Sequence, residues 1–139
     1  MGQTQERNIL YSNNIAQKFG LSLSNSEFNY GPGIGKADNY AIINDWLVVF
    51  EIEYSQRHPE FNVSKIWPYL ENNPAQKLFL IQHIVNNKEV SANRIFHCEW
   101  MAEKMITSLN DRFMYQLIIN DLTDNDIKSL KTMFEVINK

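Results

Sequence analysis

Three acidic side chains, Asp38, Glu51 and Glu53, lie where the strand pattern of this sequence is clearest. Residues 40–43 and 46–54 alternate as strands do and flank a two-residue turn, which predicts an antiparallel hairpin. With that turn, Asp38 lies directly opposite Glu51. Glu53 shares the face of Glu51, because side chains repeat every second residue along a strand. The three carboxylates are therefore expected to converge at one corner of the sheet.

The same register predicts that Ile43 faces Trp46 and that Tyr40 faces Val49. The acidic strand is otherwise almost wholly apolar, as a strand buried on both faces would be. Repulsion between the carboxylates must be offset by a proton, by a neighbouring cation or by a divalent ion such as Mg²⁺ or Mn²⁺. The alternative is that the hairpin frays near Asp38 and that the acids are simply hydrated.

These residues resemble the motif of the PD-(D/E)xK nuclease superfamily, which has the restriction-endonuclease-like fold. The motif is an Asp opening one strand, followed on the next strand by Glu or Asp, any residue and Lys. Asp38 and Glu51-Ile52-Glu53 stand in those places. Ala37 replaces the proline before the aspartate, and Glu53 replaces the lysine, as in some active members of the family.

The resemblance implies a nuclease that hydrolyses DNA phosphodiester bonds with Mg²⁺ or Mn²⁺. The implied metal ligands are carboxylates and one backbone carbonyl, from Asp38, Glu51, Ile52 and Glu53. Glu53 would accept the proton of the attacking water or bind a metal itself. A carboxylate cannot supply positive charge to the transition state, so a second metal, Lys65 or Arg57 must do so. Lys65 is notable because the superfamily often carries a basic residue on the helix after its acidic strand.

Three residues beside the motif are candidates for contacts with DNA: Lys36, Gln56 and Arg57. Lys36 ends a glycine-rich loop, residues 31–36, whose small residues would let a phosphate approach the backbone. The loop is not a Walker motif, since Tyr30 stands where a glycine is required and Ala37 where Ser or Thr is required. A plain turn into the hairpin is the alternative.

The whole chain is expected to form one domain, residues 1–139, with an α/β (α+β) fold and a mixed sheet. The predicted order is α, β-meander, α, β, α, β, α, which agrees with a restriction-endonuclease-like core. The predicted elements are helix 4–19, a short strand near 27–30, the hairpin, helix 62–72, strand 77–85, helix 91–110, strand 113–119 and a helix capped by Thr123. The strand at 77–85 should lie parallel to the acidic strand, because a helix connects them.

Several residues of these elements have expected structural roles. Asn62 is the expected N-cap of the helix that follows the acidic strand, and Pro68 is expected to divide that helix into two short turns. Trp67, Trp100 and Cys98 are expected in the core, and His83 is expected to be a hydrogen-bonded core histidine rather than a ligand. Trp67 and Trp100 are therefore not assigned to base stacking.

Composition limits the functional classes. The net charge is −3, from 13 basic and 16 acidic residues, and the absence of a basic stripe counts against strong non-specific DNA binding. A single cysteine, Cys98, excludes an internal disulfide and a cysteine-rich zinc site. With neither an export signal nor a membrane span in the sequence, a cytoplasmic protein is expected.

Two other functional readings remain open. One is a catalytically inactive nuclease-like fold that serves as a nucleic-acid or protein interaction module, which the acidic charge and the missing lysine favour. The other is a small α/β protein unrelated to nucleases, in which Asp38 would not face Glu51. Nucleases of this class often pair two subunits, so a homodimer is possible, although no stretch of sequence identifies its interface.

Overall fold

The computed structural model describes residues 14–24, 26–37, 39–55 and 57–139. The strands are β1 (Phe28–Gly31), β2 (Gly35–Ala37), β3 (Asn39–Ile43), β4 (Trp46–Glu53), β5 (Lys77–Ile84) and β6 (Phe113–Ile119). The helices are α1 (residues 14–18 of the described part), α2 (Pro59–Ser64), α3 (Ile66–Asn72), α4 (Ala92–Leu109) and α5 (Asp124–Ile137). The fold is mixed α+β with a mixed sheet. The described elements follow the predicted order, except that an unpredicted strand, β2, lies in the glycine-rich segment before the hairpin.

The hairpin of β3 and β4 has the predicted register. Ile43 pairs with Trp46, Tyr40 pairs with Val49, and Asn39 pairs with Phe50. Asn44 adopts a left-handed backbone conformation (φ 53°), as a tight two-residue hairpin turn requires. Asp38 lies outside the described residues, so its pairing with Glu51 stays a prediction.

The main sheet has four strands in the order β3, β4, β5, β6. β3 is antiparallel to β4, whereas β4, β5 and β6 are parallel, so the predicted parallel neighbour of the acidic strand is confirmed. β4 is buried along its whole length, which explains its continuous apolar sequence.

Helices cover both faces of this sheet. On one face, strand residues such as Leu47, Val49 and Leu80 form a core with the buried sides of α2, α3 and α4. On the other face, Phe50 and Phe79 pack against α5 and the described part of α1. Within the described segments, no helix is long and apolar enough to cross a membrane.

The strand predicted near 27–30 is confirmed as β1, but the expectation that it forms a meander with the hairpin is wrong, because it pairs with β2 in a separate two-stranded sheet. The turn between its strands needs glycine, since Gly33 and Gly35 have φ of 78° and 127°. Phe28 and Tyr30 of β1 pack their rings against Tyr69 of α3. The small sheet is thereby held against the helix that follows the acidic strand.

The helical region after β4 differs from the prediction at its start. The helix begins at Pro59, with His58 as the N-cap residue, so the expectation that Asn62 is the N-cap is wrong. Proline favours the first helical position because it has no N–H to leave unpaired. The expected division is confirmed: α2 ends and α3 begins at Lys65. Pro68 then falls in the first turn of α3, where its missing N–H costs no helical hydrogen bond.

The helices predicted at 91–110 and after Thr123 are confirmed as α4 and α5. The helix predicted at 4–19 is confirmed only at residues 14–18, because residues 4–13 lie outside the described part of the chain. In α4 the buried residues are Cys98, Ala102, Met105 and Leu109, which confirms the expected burial of Cys98, but Trp100 is 46% exposed and its predicted place in the core is wrong. Trp100 follows Cys98 by two residues, which turns it about 200° around the helix. Trp67 of α3 is half-buried against the core. Thr123 caps α5 in a capping box with Asp126.

Candidate active site at the end of strand β4

Two carboxylates stand at the carboxyl end of β4. Glu51 is 9% exposed and Glu53 is fully buried. They share the sheet face of Leu47 and Val49, because strand side chains alternate, and α2, α3 and α4 cover this face. The sequence prediction that these two acids lie on one face is thus consistent with the observed strand.

Lys65, at the junction of α2 and α3, places its ammonium group beside these acids. Its Nζ lies 3.0 Å from Oε1 of Glu51, and the lysine side chain is only 7% exposed. Nζ also donates hydrogen bonds to Oδ1 of Asn62, at 2.8 Å, and to the backbone carbonyl of Lys36, at 2.9 Å. The three N–H donors of the ammonium therefore have three acceptors. A neighbouring cation, one of the three expected ways to offset the repulsion, is present at Glu51.

Asn62 connects Lys65 to the second carboxylate. Its Nδ2 donates a 2.7 Å hydrogen bond to Oε1 of Glu53, while its Oδ1 accepts from Lys65. The side chains thus form a chain from Glu53 through Asn62 and Lys65 to Glu51. Sequence reasoning assigned Asn62 to capping and missed this role. The available signal was its spacing from Lys65, since residues three apart lie on the same side of a helix.

Glu53 has an unusual protonation equilibrium. Burial, followed by the negative charge of Glu51, raises the pKa of Glu53 to about 8, although the hydrogen bond from Asn62 and the charge of Lys65 act in the opposite direction. Most molecules therefore carry a protonated Glu53 at pH 7. Its second oxygen, Oε2, is buried and has no hydrogen-bond partner in the part of the chain that the structure describes. Among the described residues, this oxygen is therefore a buried polar atom whose hydrogen-bonding capacity is unused.

A polar network on β5 and β6 borders the acids. Gln82 is next to Glu51 across the parallel β4–β5 ladder. Its Nε2 donates to the carbonyl of Pro59 at 3.0 Å, and its Oε1 accepts a 2.6 Å hydrogen bond from the hydroxyl of Tyr115. Burial raises the pKa of Tyr115, so this hydroxyl remains a donor. Gln82 was not predicted, since one glutamine within an apolar strand carries no recognisable signal.

Tyr30 of β1 approaches the site from the side of the small sheet. Nζ of Lys65 lies 5.8 Å from the centre of the Tyr30 ring, a distance typical of a cation–π contact. The pKa of Tyr30 is raised by burial and then by the charges of Glu51 and Tyr69. Its buried hydroxyl has no hydrogen-bond partner among the described residues. Tyr30 therefore adds a neutral, apolar wall beside the ion pair.

The predicted DNA-contacting residues occupy different places. Lys36 has an exposed side chain 3.8 Å from the carboxylate of Glu27, and only its backbone carbonyl reaches the site, through Lys65. Arg57 is exposed and lines a cavity of about 350 Å³ together with Arg94 of α4. Gln56 lies outside the described residues.

The histidine and cysteine expectations are confirmed. His83 is fully buried, and its ring nitrogen Nε2 is hydrogen-bonded to the backbone carbonyl of Asn120. Cys98 is buried in the core, and burial raises its pKa to about 12, which keeps the thiol protonated and unreactive.

The donor set fits a hard divalent cation in part. Glu51 and Glu53 offer carboxylate oxygens, including the buried, unpartnered Oε2 of Glu53. Within residues 14–24, 26–37, 39–55 and 57–139, no three His, Cys, Asp or Glu side chains are grouped as a metal site. Asp38, the third predicted carboxylate, is not among those residues. The side chain of Ile52 lies on the opposite face from the acids by strand alternation, so only its backbone could contribute.

Comparison of this chain with family models, with curated proteins and with solved structures gave no significant match.

Proposed function

We propose that this protein is a metal-dependent nuclease that hydrolyses DNA phosphodiester bonds. One observation carries the proposal: the buried ammonium of Lys65 lies 3.0 Å from Glu51, beside a strand that has Glu53 where the superfamily motif has lysine. The positive charge of Lys65, between α2 and α3, thus lies close to the place where the lysine of the motif would put a positive charge on the strand.

The arrangement of elements supports a restriction-endonuclease-like fold. The superfamily resemblance implies a helix, a β-meander that carries the acids, a crossover helix and a parallel strand. The mixed sheet, with β3 antiparallel and β5 parallel to the acidic β4, is compatible with that core. The position of Lys65 after the acidic strand agrees with the basic residue that the superfamily often carries on this helix.

In this proposal Asp38, Glu51 and the backbone carbonyl of Ile52 hold Mg²⁺ or Mn²⁺, with Glu53 as a further candidate ligand. The bound ion would polarise the scissile phosphate and make a water molecule more acidic. Glu51 would supply a carboxylate oxygen to the ion, beside the ammonium of Lys65. Lys65 keeps its positive charge near the reacting phosphate, where negative charge increases in the transition state.

Glu53 is the proposed general base. Its carboxylate form would accept the proton of the attacking water, and Asn62 holds one of its oxygens in place through the 2.7 Å hydrogen bond. With a pKa of about 8, Glu53 is poised to gain and lose a proton near neutral pH. Lys36, Gln56 and Arg57 are the proposed contacts to the DNA backbone.

The direct test is a cleavage assay with the purified protein on duplex, branched and single-stranded DNA, each with Mg²⁺, with Mn²⁺ and with EDTA. We expect at least one DNA form to be cut with a metal and none to be cut in EDTA. Absence of cleavage of every form with both metals would overturn the proposal.

The second candidate is a catalytically inactive nuclease-like protein that acts as a nucleic-acid or protein interaction module. One observation favours it: Lys65 already neutralises Glu51, so the buried charge does not require a metal. Thermal melting during titration with Mg²⁺ or Mn²⁺ distinguishes the two, because a ligand that binds the native state raises the melting temperature. A nuclease should show this shift and lose it in Glu51→Gln, whereas an inactive module should melt at the same temperature with and without metal.

A further inference from the structure

The outer edge of strand β6 is open in the part of the chain that the structure describes. Among the described residues, β6 is the last strand of the main sheet and pairs only with β5. The opposite edge of the sheet is different: β3 is shorter, and the N–H of Ser24 donates a 2.8 Å hydrogen bond to the carbonyl of Tyr40, so residues 21–24 cover part of it. The two edges of this sheet are therefore not equally protected.

The backbone groups that point outward from β6 can be identified. The N–H of Asn120 donates to the carbonyl of Ile84, at 2.8 Å, and therefore faces β5. Because backbone groups alternate along a strand, the N–H and C=O groups of Tyr115, Leu117 and Ile119 face away from β5. In agreement, the carbonyl of Leu117 accepts a hydrogen bond from the side-chain amide of Gln116 rather than from a strand.

β6 also lacks the features that usually protect an edge strand. Its sequence, Phe113 to Ile119, reads FMYQLII and contains no charged residue, no proline and no glycine. Natural proteins commonly place lysine, proline or a bulge on an open edge to prevent pairing with another chain. An unprotected, regular and apolar edge of this length is suited to accept a further strand.

We propose that β6 pairs in antiparallel fashion with β6 of a second copy of this chain, around a two-fold axis at Gln116. Gln116 is the central residue of Phe113–Ile119, so this axis places the whole strand against its copy. The outward-facing groups of Tyr115 then meet those of Leu117 of the partner subunit, and such a pair exchanges two backbone hydrogen bonds. The two four-stranded sheets become one continuous sheet.

The side chains of β6 are complementary to themselves in this register. Tyr115 faces Leu117 of the partner subunit, and Met114 faces Ile118 of the partner subunit, so apolar side chains meet on both sheet faces. Gln116 faces Gln116 of the partner subunit; its Oε1 already accepts a 2.7 Å hydrogen bond from the hydroxyl of Ser129, and its Nε2 releases the carbonyl of Leu117 when that carbonyl pairs with the partner strand. The strand itself has no charged residue, and its apolar side chains oppose one another in this register. This self-complementarity is what favours a second copy as the occupant.

The groove beside β6 makes this pairing depend on ionic strength. Between α4 and β6 lies a groove of about 270 Å³ that is lined by Ile106, Tyr115 and Leu117 and also by Glu99 and Glu103. A paired strand would cover its apolar part. The two acids of each copy would face those of the other, so the dimer should be tighter at higher ionic strength, where like charges are screened. The pairing does not depend on the chemistry proposed for Glu51.

The first test measures the mass of the purified full chain by sedimentation equilibrium across a concentration series at moderate and high salt. We expect a species of twice the 16.3 kDa chain mass that becomes more populated with concentration and with salt. Amide hydrogen exchange on the same samples should show slow exchange of Tyr115, Leu117 and Ile119 in the dimer and fast exchange in the monomer. A monomer under all conditions, or a dimer in which these amides exchange as in the monomer, would overturn the proposal.

The second test uses Leu117→Pro. Proline removes the outward N–H that the partner strand needs and leaves the bonds between β5 and β6 intact, since edge strands tolerate proline at such positions. Leu117→Ala is the matched control, because it shortens the same side chain but keeps the N–H. We expect Leu117→Pro to be monomeric and Leu117→Ala to dimerise. A folded Leu117→Pro that still dimerises would contradict the proposal, and if this variant does not fold, the exchange of the unaltered protein decides.

Discussion

Lys65 and Glu51 form a buried ion pair, with 3.0 Å between Nζ and Oε1, although they belong to different elements. The acid stands near the end of β4, and the lysine stands at the break between α2 and α3. The lysine is also hydrogen-bonded to Asn62 and to the backbone of Lys36, so one cation connects the strand, the helix and the small sheet.

The first prediction concerns the stability of this pair. Lys65→Met keeps the length of the apolar stem but leaves a buried carboxylate without its cation, and removing one partner of a buried ion pair costs about 3–5 kcal/mol. We expect a loss of this size in the free energy of unfolding, measured by urea denaturation at pH 7. Lys36→Met is the matched control, because the Lys36 side chain is 55% exposed and should change stability by less than ~0.5 kcal/mol.

The double variant Lys65→Met with Glu51→Gln distinguishes the ion pair from simple loss of packing. Since the second change removes the charge that the first leaves unpaired, the two effects should not add, and the double variant should be more stable than Lys65→Met alone. Equal losses in the single and double variants would mean that the contact between the two charges contributes nothing.

The register of the hairpin was predictable because it depends on local chemistry. A two-residue turn at Asn44 and alternating apolar residues fix the pairing of Ile43 with Trp46, and the structure has that pairing. From the sequence, a cation beside Glu51 was only one of three ways to offset the repulsion between the carboxylates. The contact of Lys65 with Glu51 could not be predicted, because it depends on where the helical region after β4 breaks. Pro59 is the first residue of α2, and Pro68 lies in the first turn of α3, so the two prolines favour a break between them. The exact place of the break also depends on packing, which no local sequence pattern specifies.

The second prediction concerns Glu53 and pH. Its pKa of about 8 in the folded protein lies above the ordinary value of 4.5, so the folded state holds a proton that the unfolded state has lost between these pH values. The stability of the protein should therefore fall as pH rises from 4.5 to 8, by at most ~1.4 kcal/mol per pH unit from this group. Glu53→Gln removes the effect and should be more stable than the unaltered protein at pH 8, with little difference at pH 4.

Glu27→Gln is the control for this measurement, since the Glu27 side chain is 48% exposed. Melting temperatures of the three proteins across pH 4–8.5 provide the comparison. If Glu53→Gln and Glu27→Gln have the same pH dependence as the unaltered protein, Glu53 does not hold a proton in the folded state.

The third prediction concerns the rate of cleavage. If the carboxylate form of Glu53 is the base, the rate should rise with pH and then level off, with a midpoint below about 8, because the charge of the bound metal would lower the pKa of Glu53. Asn62→Leu removes the hydrogen bond that lowers the pKa of Glu53, so the midpoint of its rate profile should move to higher pH. A rate that falls over this pH range would assign Glu53 the role of an acid instead.

Asn62 also illustrates a limit of sequence reasoning. Asparagine is a common N-cap, and this preference led to a wrong assignment because Pro59 starts the helix earlier. Its polar side chain instead contacts two buried ionisable groups, and only the folded positions of Glu53 and Lys65 reveal that role. Trp100 is the opposite case, since a large aromatic residue in a helix suggested the core but stands on the exposed side of α4.

The most direct measurement of the proposed function compares metal-dependent DNA cleavage by the unaltered protein with cleavage by Asp38→Ala and by Glu51→Ala. The folded state of each variant is first checked by circular dichroism. We expect the unaltered protein to cut DNA with Mg²⁺ or Mn²⁺ and both variants to lose this activity, because each lacks a carboxylate proposed to hold the metal. Cleavage retained by both folded variants would contradict the assignment of the active site to the end of β4.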